Sequence, residues 1–195
     1  MSRWVVSSTN VHNNPFPDDF YIFYTNSSLA GRTFGVSADS FVFSVMACQN
    51  VSVMLRATED ESAPGYVITL GVDDNNVTKI EKTGEDRLER SFDTPNILDC
   101  GMMQTFWIEW LFTEGKFKVG KGNIIGEQEI GSIDDNANPY AKNFISFYSD
   151  DDSLARWQIF QSSGELNIYS CKANSIDMIL NEYNCTLSLR SWFSV

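Results

Sequence analysis

Phe106-Trp107-Ile108-Glu109-Trp110-Leu111-Phe112, then Thr113-Glu114-Gly115, then Lys116-Phe117-Lys118-Val119-Gly120: this stretch decides the fold class. Apolar residues at 106, 108, 110 and 112 recur at every second position, the period of a strand with one face buried. A three-residue turn containing Gly115 sends the chain back, with Phe117 and Val119 inward and Lys116 and Lys118 on the solvent face. A short glycine-bearing loop between two alternating runs is a β-hairpin signal. Trp107 and Leu111 make the opposite face apolar too, which suits a strand in the middle of its sheet. Glu109, the one acid in that run, is read as a pairing residue, with a functional role as the alternative.

The same period extends along most of the chain. Phe34, Val36 and Ala38 alternate with small residues, as do Phe41, Phe43 and Val45, then Val51, Val53 and Leu55, then Tyr66, Ile68 and Leu70. Further runs are Phe144-Ile145-Ser146-Phe147-Tyr148, Leu154 to Phe160, and Leu166, Ile168 and Ser170. Clusters of Gly, Asp, Asn and Ser separate them. Only residues 175–182 fit a helix, a short one near the C-terminus. About ten strands with no regular helices between them exclude a βαβ architecture. The expectation is an all-β, two-sheet antiparallel sandwich of jelly-roll or lectin-like type.

At 195 residues the chain fits one domain at roughly 100–200 residues per domain. The 26 Asp+Glu against 14 Lys+Arg give a net charge of -12, without the basic stripe that phosphate recognition needs. Nucleic acid is excluded as a partner on that ground, and docking to an anionic membrane surface is disfavoured. No uninterrupted apolar run approaches the length of a membrane span, and the apolar run at the N-terminus is too short for a signal peptide. Four cysteines, Cys48, Cys100, Cys171 and Cys185, permit three complete pairings and contain no C-x-x-C. Four sequons, at Asn26, Asn50, Asn76 and Asn184, agree with a secreted protein, and the even cysteine count points the same way.

Chemistry-bearing motifs are few. The single histidine, His12, sits in a polar stretch and reads as a loop residue, and no nucleophile elbow, dinucleotide fingerprint or P-loop occurs. No cofactor is expected. Calcium is the one metal that suits the acids, with Asp150, Asp151 and Asp152 as the best local cluster, though without the EF-hand spacing. The 26 aromatic residues fall mostly on alternating positions and read as core; a sugar platform is the other use of such rings. Trp192-Phe193 would seal the sandwich or join a second copy in a homo-oligomer.

Several of these runs in order carry a resemblance. Phe34-x-Val36-x-Ala38, Tyr66-Val67-Ile68-x-Leu70-Gly71, Asn76-Val77-Thr78-Lys79-Ile80, Phe106-Trp107-Ile108-x-Trp110 and Gly115 to Gly120, with Ile145-x-Phe147 and Trp157, resemble the farnesoic acid O-methyltransferase-like domain of invertebrate proteins. The match covers about residues 30–160. It departs from the family at Gly71-Val72, where Gly-Gly is usual, and at Glu81, where an Arg is common. It leaves residues 161–195, with Cys171 and Cys185, as a C-terminal extension of the single domain 1–195. The family name implies methyl transfer from S-adenosylmethionine to a terpenoid acid. Such transferases usually carry a Rossmann-like sheet and a glycine-rich first turn, and this sequence has neither pattern. Similar domains occur in secreted, immune-type proteins, which implies recognition. The leading expectation is a secreted, non-enzymatic module that binds carbohydrate. Its sugar-bonding groups would be the loop residues Asp73, Asp74, Asn75, Asp134, Asp135 and Asn136. An extracellular protein–protein module is the alternative, and the methyltransferase ranks below both.

Overall fold

The computed structural model describes residues 20–26, 32–36, 38–60, 62–150 and 154–160. They form twelve strands: β1 (Phe20–Thr25), β2 (Arg32–Gly35), β3 (Ser40–Met46), β4 (Val51–Arg56), β5 (Gly65–Gly71), β6 (Val77–Lys82), β7 (Leu88–Asp93), β8 (Gln104–Leu111), β9 (Lys116–Lys121), β10 (Glu129–Asp134), β11 (Phe144–Ser149) and β12 (Ala155–Phe160). One antiparallel sheet runs β1-β12-β3-β8-β9-β10 and the other β2-β11-β4-β5-β6-β7. The all-β sandwich expected from the period-two pattern is the observed architecture. Twelve strands replace the expected ten. The strands absent from the alternating runs are β1, β7 and β10, each at a sheet edge, and β6, which entered only through the resemblance. The expected strand near 166–170 and the expected helix over 175–182 lie outside the described residues.

Alternation sets which side chains meet between the sheets. Phe41, Phe43 and Val45 from β3 and Phe106, Ile108 and Trp110 from β8 face Val53 and Leu55 from β4 and Ile68 and Leu70 from β5, all buried. Phe147 of β11 lies 5.0 Å from Trp157 of β12, edge to face, and within 6.3 Å of Phe41 and Phe43. Ring pairs of this geometry add about 0.5–1.5 kcal/mol each beyond their burial. The Trp157 indole donates to Thr25 Oγ1 at 2.8 Å, so its one polar atom is satisfied in the core.

β8 is central in its sheet, between β3 and β9. Trp107 points to that sheet's outer face, yet it is fully buried. The β9–β10 loop lies over it, and the indole donates to the Glu127 carbonyl at 2.7 Å. Beneath the ring is Gly120, where a Cβ would fall 2.2 Å from the indole. Glu109 sits across from Lys118 and pairs with it at 3.2 Å, so the buried-strand acid is a cross-strand ion pair.

Cys48 and Cys100 form a disulfide. Cys48 lies between β3 and β4, and Cys100 between β7 and β8, two of the connections that pass from one sheet to the other. Cys171 and Cys185 lie outside the described residues. At the far edge Phe20 is the register partner of Phe160, so the first and last described strands, β1 and β12, lie side by side.

Candidate functional site

Two of the inward rows end in polar side chains. Tyr66 opens β5 in the row that continues with Ile68 and Leu70, and Lys82 closes β6 in the row that begins with Thr78 and Ile80; the two are register partners. Both are almost completely buried. Asp135, the residue after β10, turns inward and meets them. Its carboxylate accepts from Lys82 Nζ at 2.8 and 3.0 Å and from the Tyr66 hydroxyl at 2.5 Å.

This triad fixes the segment between β10 and β11. Lys82 also donates to the Asn138 carbonyl at 2.9 Å and lies 4.6 Å from the centre of the Tyr140 ring, while the Tyr140 amide donates to the Tyr66 hydroxyl. Burial works against ionisation of Asp135, but the hydrogen bonds from Lys82 and Tyr66 and the Lys82 charge outweigh it and hold the carboxyl below its usual range. The Tyr66 hydroxyl is pushed up, first by burial and then by its bond to Asp135.

Lys142 lies on the segment so fixed. Its Nζ stands over three rings, 5.5 Å from Tyr66, 5.8 Å from Phe112 and 5.9 Å from Trp110. Burial lowers its pKa to about 8, opposed by the more distant charges of Asp39 and Asp135. Among the described residues no carboxylate lies within ion-pair distance of it. Phe112 was expected on the buried face of β8, but that strand ends at Leu111 and Phe112 starts a single 3-10 turn, Phe112–Glu114. The turn rotates the ring outward, half-exposed at 50%. Gly115 closes it at φ 58°, and its carbonyl accepts the Asp135 amide at 2.6 Å. A Cβ there would meet the Asp135 carbonyl oxygen at 2.4 Å, so this end of the sandwich is built with glycine at that position.

The six loop residues expected to bind ligand divide between the two ends of the molecule. Asp134, Asp135 and Asn136 belong to the end just described; Asp134 pairs with Lys116 at 3.7 Å, Asn136 is exposed, and Asp135 is consumed by Lys82. Asp73, Asp74 and Asn75 cap the β5–β6 turn at the opposite end of β5, about 16 Å away at 3.3 Å per residue. All three have positive φ. The Asn75 amide is spent on the Leu98 backbone, donating to its carbonyl at 2.9 Å and accepting from its N–H at 3.0 Å.

Asp150 is exposed, while Asp151, Asp152 and His12 lie outside the described residues, within which no group of three His, Cys, Asp or Glu could hold a metal. Of the sequons, Asn76 is exposed at the β5–β6 turn, Asn26 and Asn50 are half-buried, and Asn184 lies outside the described residues. No helix among the described residues is long and apolar enough to cross a membrane. Sequence reasoning passed over Tyr66, Lys82 and Lys142. A lysine in the inward row of β6 was the available signal for Lys82; a loop lysine like Lys142 gives none.

Three solved structures show the level of likeness. A carbohydrate-binding module, CBM66 from Bacillus subtilis, aligns with 67% of this chain and 77% of its own at 13% identity and a TM-score of 0.44. The Caenorhabditis elegans galectin LEC-6 aligns over 72% and 95% at 9% identity and a TM-score of 0.47. The apo Crh5 transglycosylase aligns over 87% and 84% at 8% identity and a TM-score of 0.46. The identities are too low to bring a binding residue or a ligand across. A comparison with curated proteins gives no match. Two antiparallel sheets are not the doubly wound α/β sheet of a Rossmann-type transferase, and this architecture argues against methyl-transfer catalysis. The family described as farnesoic acid O-methyl transferase matches residues 18–162, most of the sequence and all twelve strands, and the chain belongs to that family.

Proposed function

We propose that this protein is a secreted, non-enzymatic recognition module whose ligand is a carbohydrate, bound at the end of the sandwich where Phe112 and Lys142 meet. The observation that carries the reading is the Phe112 ring, half-exposed beside an ammonium that has no carboxylate partner among the described residues. A pyranose offers one apolar face to such a ring and hydroxyls to the polar groups around it. Those groups are Lys142 and the exposed Asp134 and Asn136, and the Phe112–Glu114 turn abuts residues 135 and 136 through Gly115. The Cys48–Cys100 disulfide and the exposed sequon at Asn76 support an oxidising, extracellular setting. A glycan array probed with and without chelator tests the reading. Binding that is lost in Phe112→Ala is the expected result, and blank arrays in both conditions overturn it.

A second reading, a protein–protein module, draws on Ile124 and Ile125, adjacent and exposed at 56% and 39% on the β9–β10 loop. Concentration-dependent elution in size exclusion that disappears in Ile124→Asp would favour it.

A further inference from the structure

We infer that the Lys142 site selects an acidic saccharide, one that carries a carboxylate, over its neutral counterpart; the inference rests on the carbohydrate reading above. A half-buried ammonium that has given up water ordinarily finds a carboxylate, because desolvation without a counter-charge is costly. Lys142 has three aromatic faces instead. At 5.5–5.9 Å these are near the outer limit of about 6 Å for a useful cation–π contact, so they offset only part of the lost hydration.

The nearby charges do not fill the gap. Asp135 acts on Lys142, but its oxygens are committed to Lys82 and Tyr66. Asp39 acts on it as well, from beyond ion-pair distance and from an exposed position. The Tyr66 hydroxyl is held protonated by burial and by Asp135, so it adds no charge. The site therefore has an unused positive charge beside an exposed ring, and a uronic acid supplies the matching pair of surfaces: an apolar pyranose face for Phe112 and a carboxylate for Lys142.

The net charge of -12 opposes an acidic ligand at long range. In 0.15 M salt the screening length is about 8 Å, so carboxylates at the far end of the sandwich, such as Asp73 and Asp74, are largely silent at Lys142. A charge-assisted hydrogen bond made in a partly desolvated site acts at contact and is screened far less. The local term decides specificity, and the net charge lowers the association rate.

Matched glycans that differ only at C6 test this: glucose- and glucuronate-terminated, and galactose- and galacturonate-terminated oligosaccharides, titrated against the whole chain. The acid member should bind about tenfold more tightly. Lys142→Gln should abolish that preference, and Lys142→Arg should preserve it, which separates charge from any loss of folding. If the neutral members bind as well as the acids and Lys142→Gln changes nothing, the inference is overturned while carbohydrate binding stands. If no member binds, and the wider array is blank, both fall.

Discussion

Replacing Asp135 with Ala should be strongly destabilising, because it strands a buried charge. The change leaves the Lys82 ammonium buried, with one carbonyl acceptor from Asn138 and a ring face at 4.6 Å. Breaking a buried ion pair by removing one partner costs about 3–5 kcal/mol, because the remaining charge is left uncompensated. Against a typical total of roughly 5–15 kcal/mol this is a large fraction. For a chain of this size it corresponds to a fall in Tm of about 6–20 °C. Lys82→Met should do comparable damage by stranding the Asp135 carboxylate. The double variant Lys82→Met with Asp135→Leu removes both charges and should recover much of the loss, with a coupling of about 2 kcal/mol or more. Urea unfolding at pH 7 followed by tryptophan fluorescence reads all three. Asp135 contributes its stabilisation above the ordinary Asp value of 3.8 and loses it as pH falls through the lower native value, so the gap between wild type and Asp135→Ala should narrow as pH falls below 3.8. Single variants within 1 kcal/mol of wild type, or a double variant that loses the sum of the two, would refute the reasoning.

Three more expectations follow from the geometry. Gly120→Ala should cost about 1–3 kcal/mol and shift the tryptophan emission, since the Trp107 ring must leave its bed and its bond to Glu127; a crystal structure with the ring unmoved would contradict this. Cys48→Ser should cost about 4 kcal/mol on the loop-entropy model for a separation of 52 residues, read as a lower urea midpoint that matches reduced wild type. Lys142 has its pKa lowered to about 8, so the unfolded chain binds more protons between pH 8 and 10.5 and stability from this group rises with pH across that window. Lys142→Met should flatten the rise, and an unchanged profile would show that the amine is not desolvated.

The sheets could be read from the sequence wherever alternation is strict and turn chemistry marks the ends, as in β8 and β9 around Gly115. Three of the four edges, β1, β7 and β10, could not. β7 reads Leu88-Glu89-Arg90-Ser91-Phe92-Asp93, and charges on an edge strand protect it from pairing with other chains while they hide its period. β1 fails for the opposite reason, because Phe20-Tyr21-Ile22-Phe23-Tyr24-Thr25 is apolar or aromatic almost without a break. Phe112 obeys the alternation of β8 in sequence and departs from it in space, since one 3-10 turn rotates it out of the core. The division of the six loop residues between two ends depends on the β5–β6 register and on which loops share an end, and composition carries neither. Lys142 is further still from view: its position follows from the Asp135–Lys82 pair, which joins residues 53 positions apart.

The pairing of β1 with β12 has a consequence for how such a unit is built into longer chains. Phe20 and Phe160 face each other across one ladder, so their backbones are about 5 Å apart. A polypeptide that enters the sandwich at one leaves it at the other, almost where it came in. Such a unit can be threaded into a surface loop of a host protein without spreading the ends of that loop, and tandem copies would hang from a connecting chain like pendants, not beads.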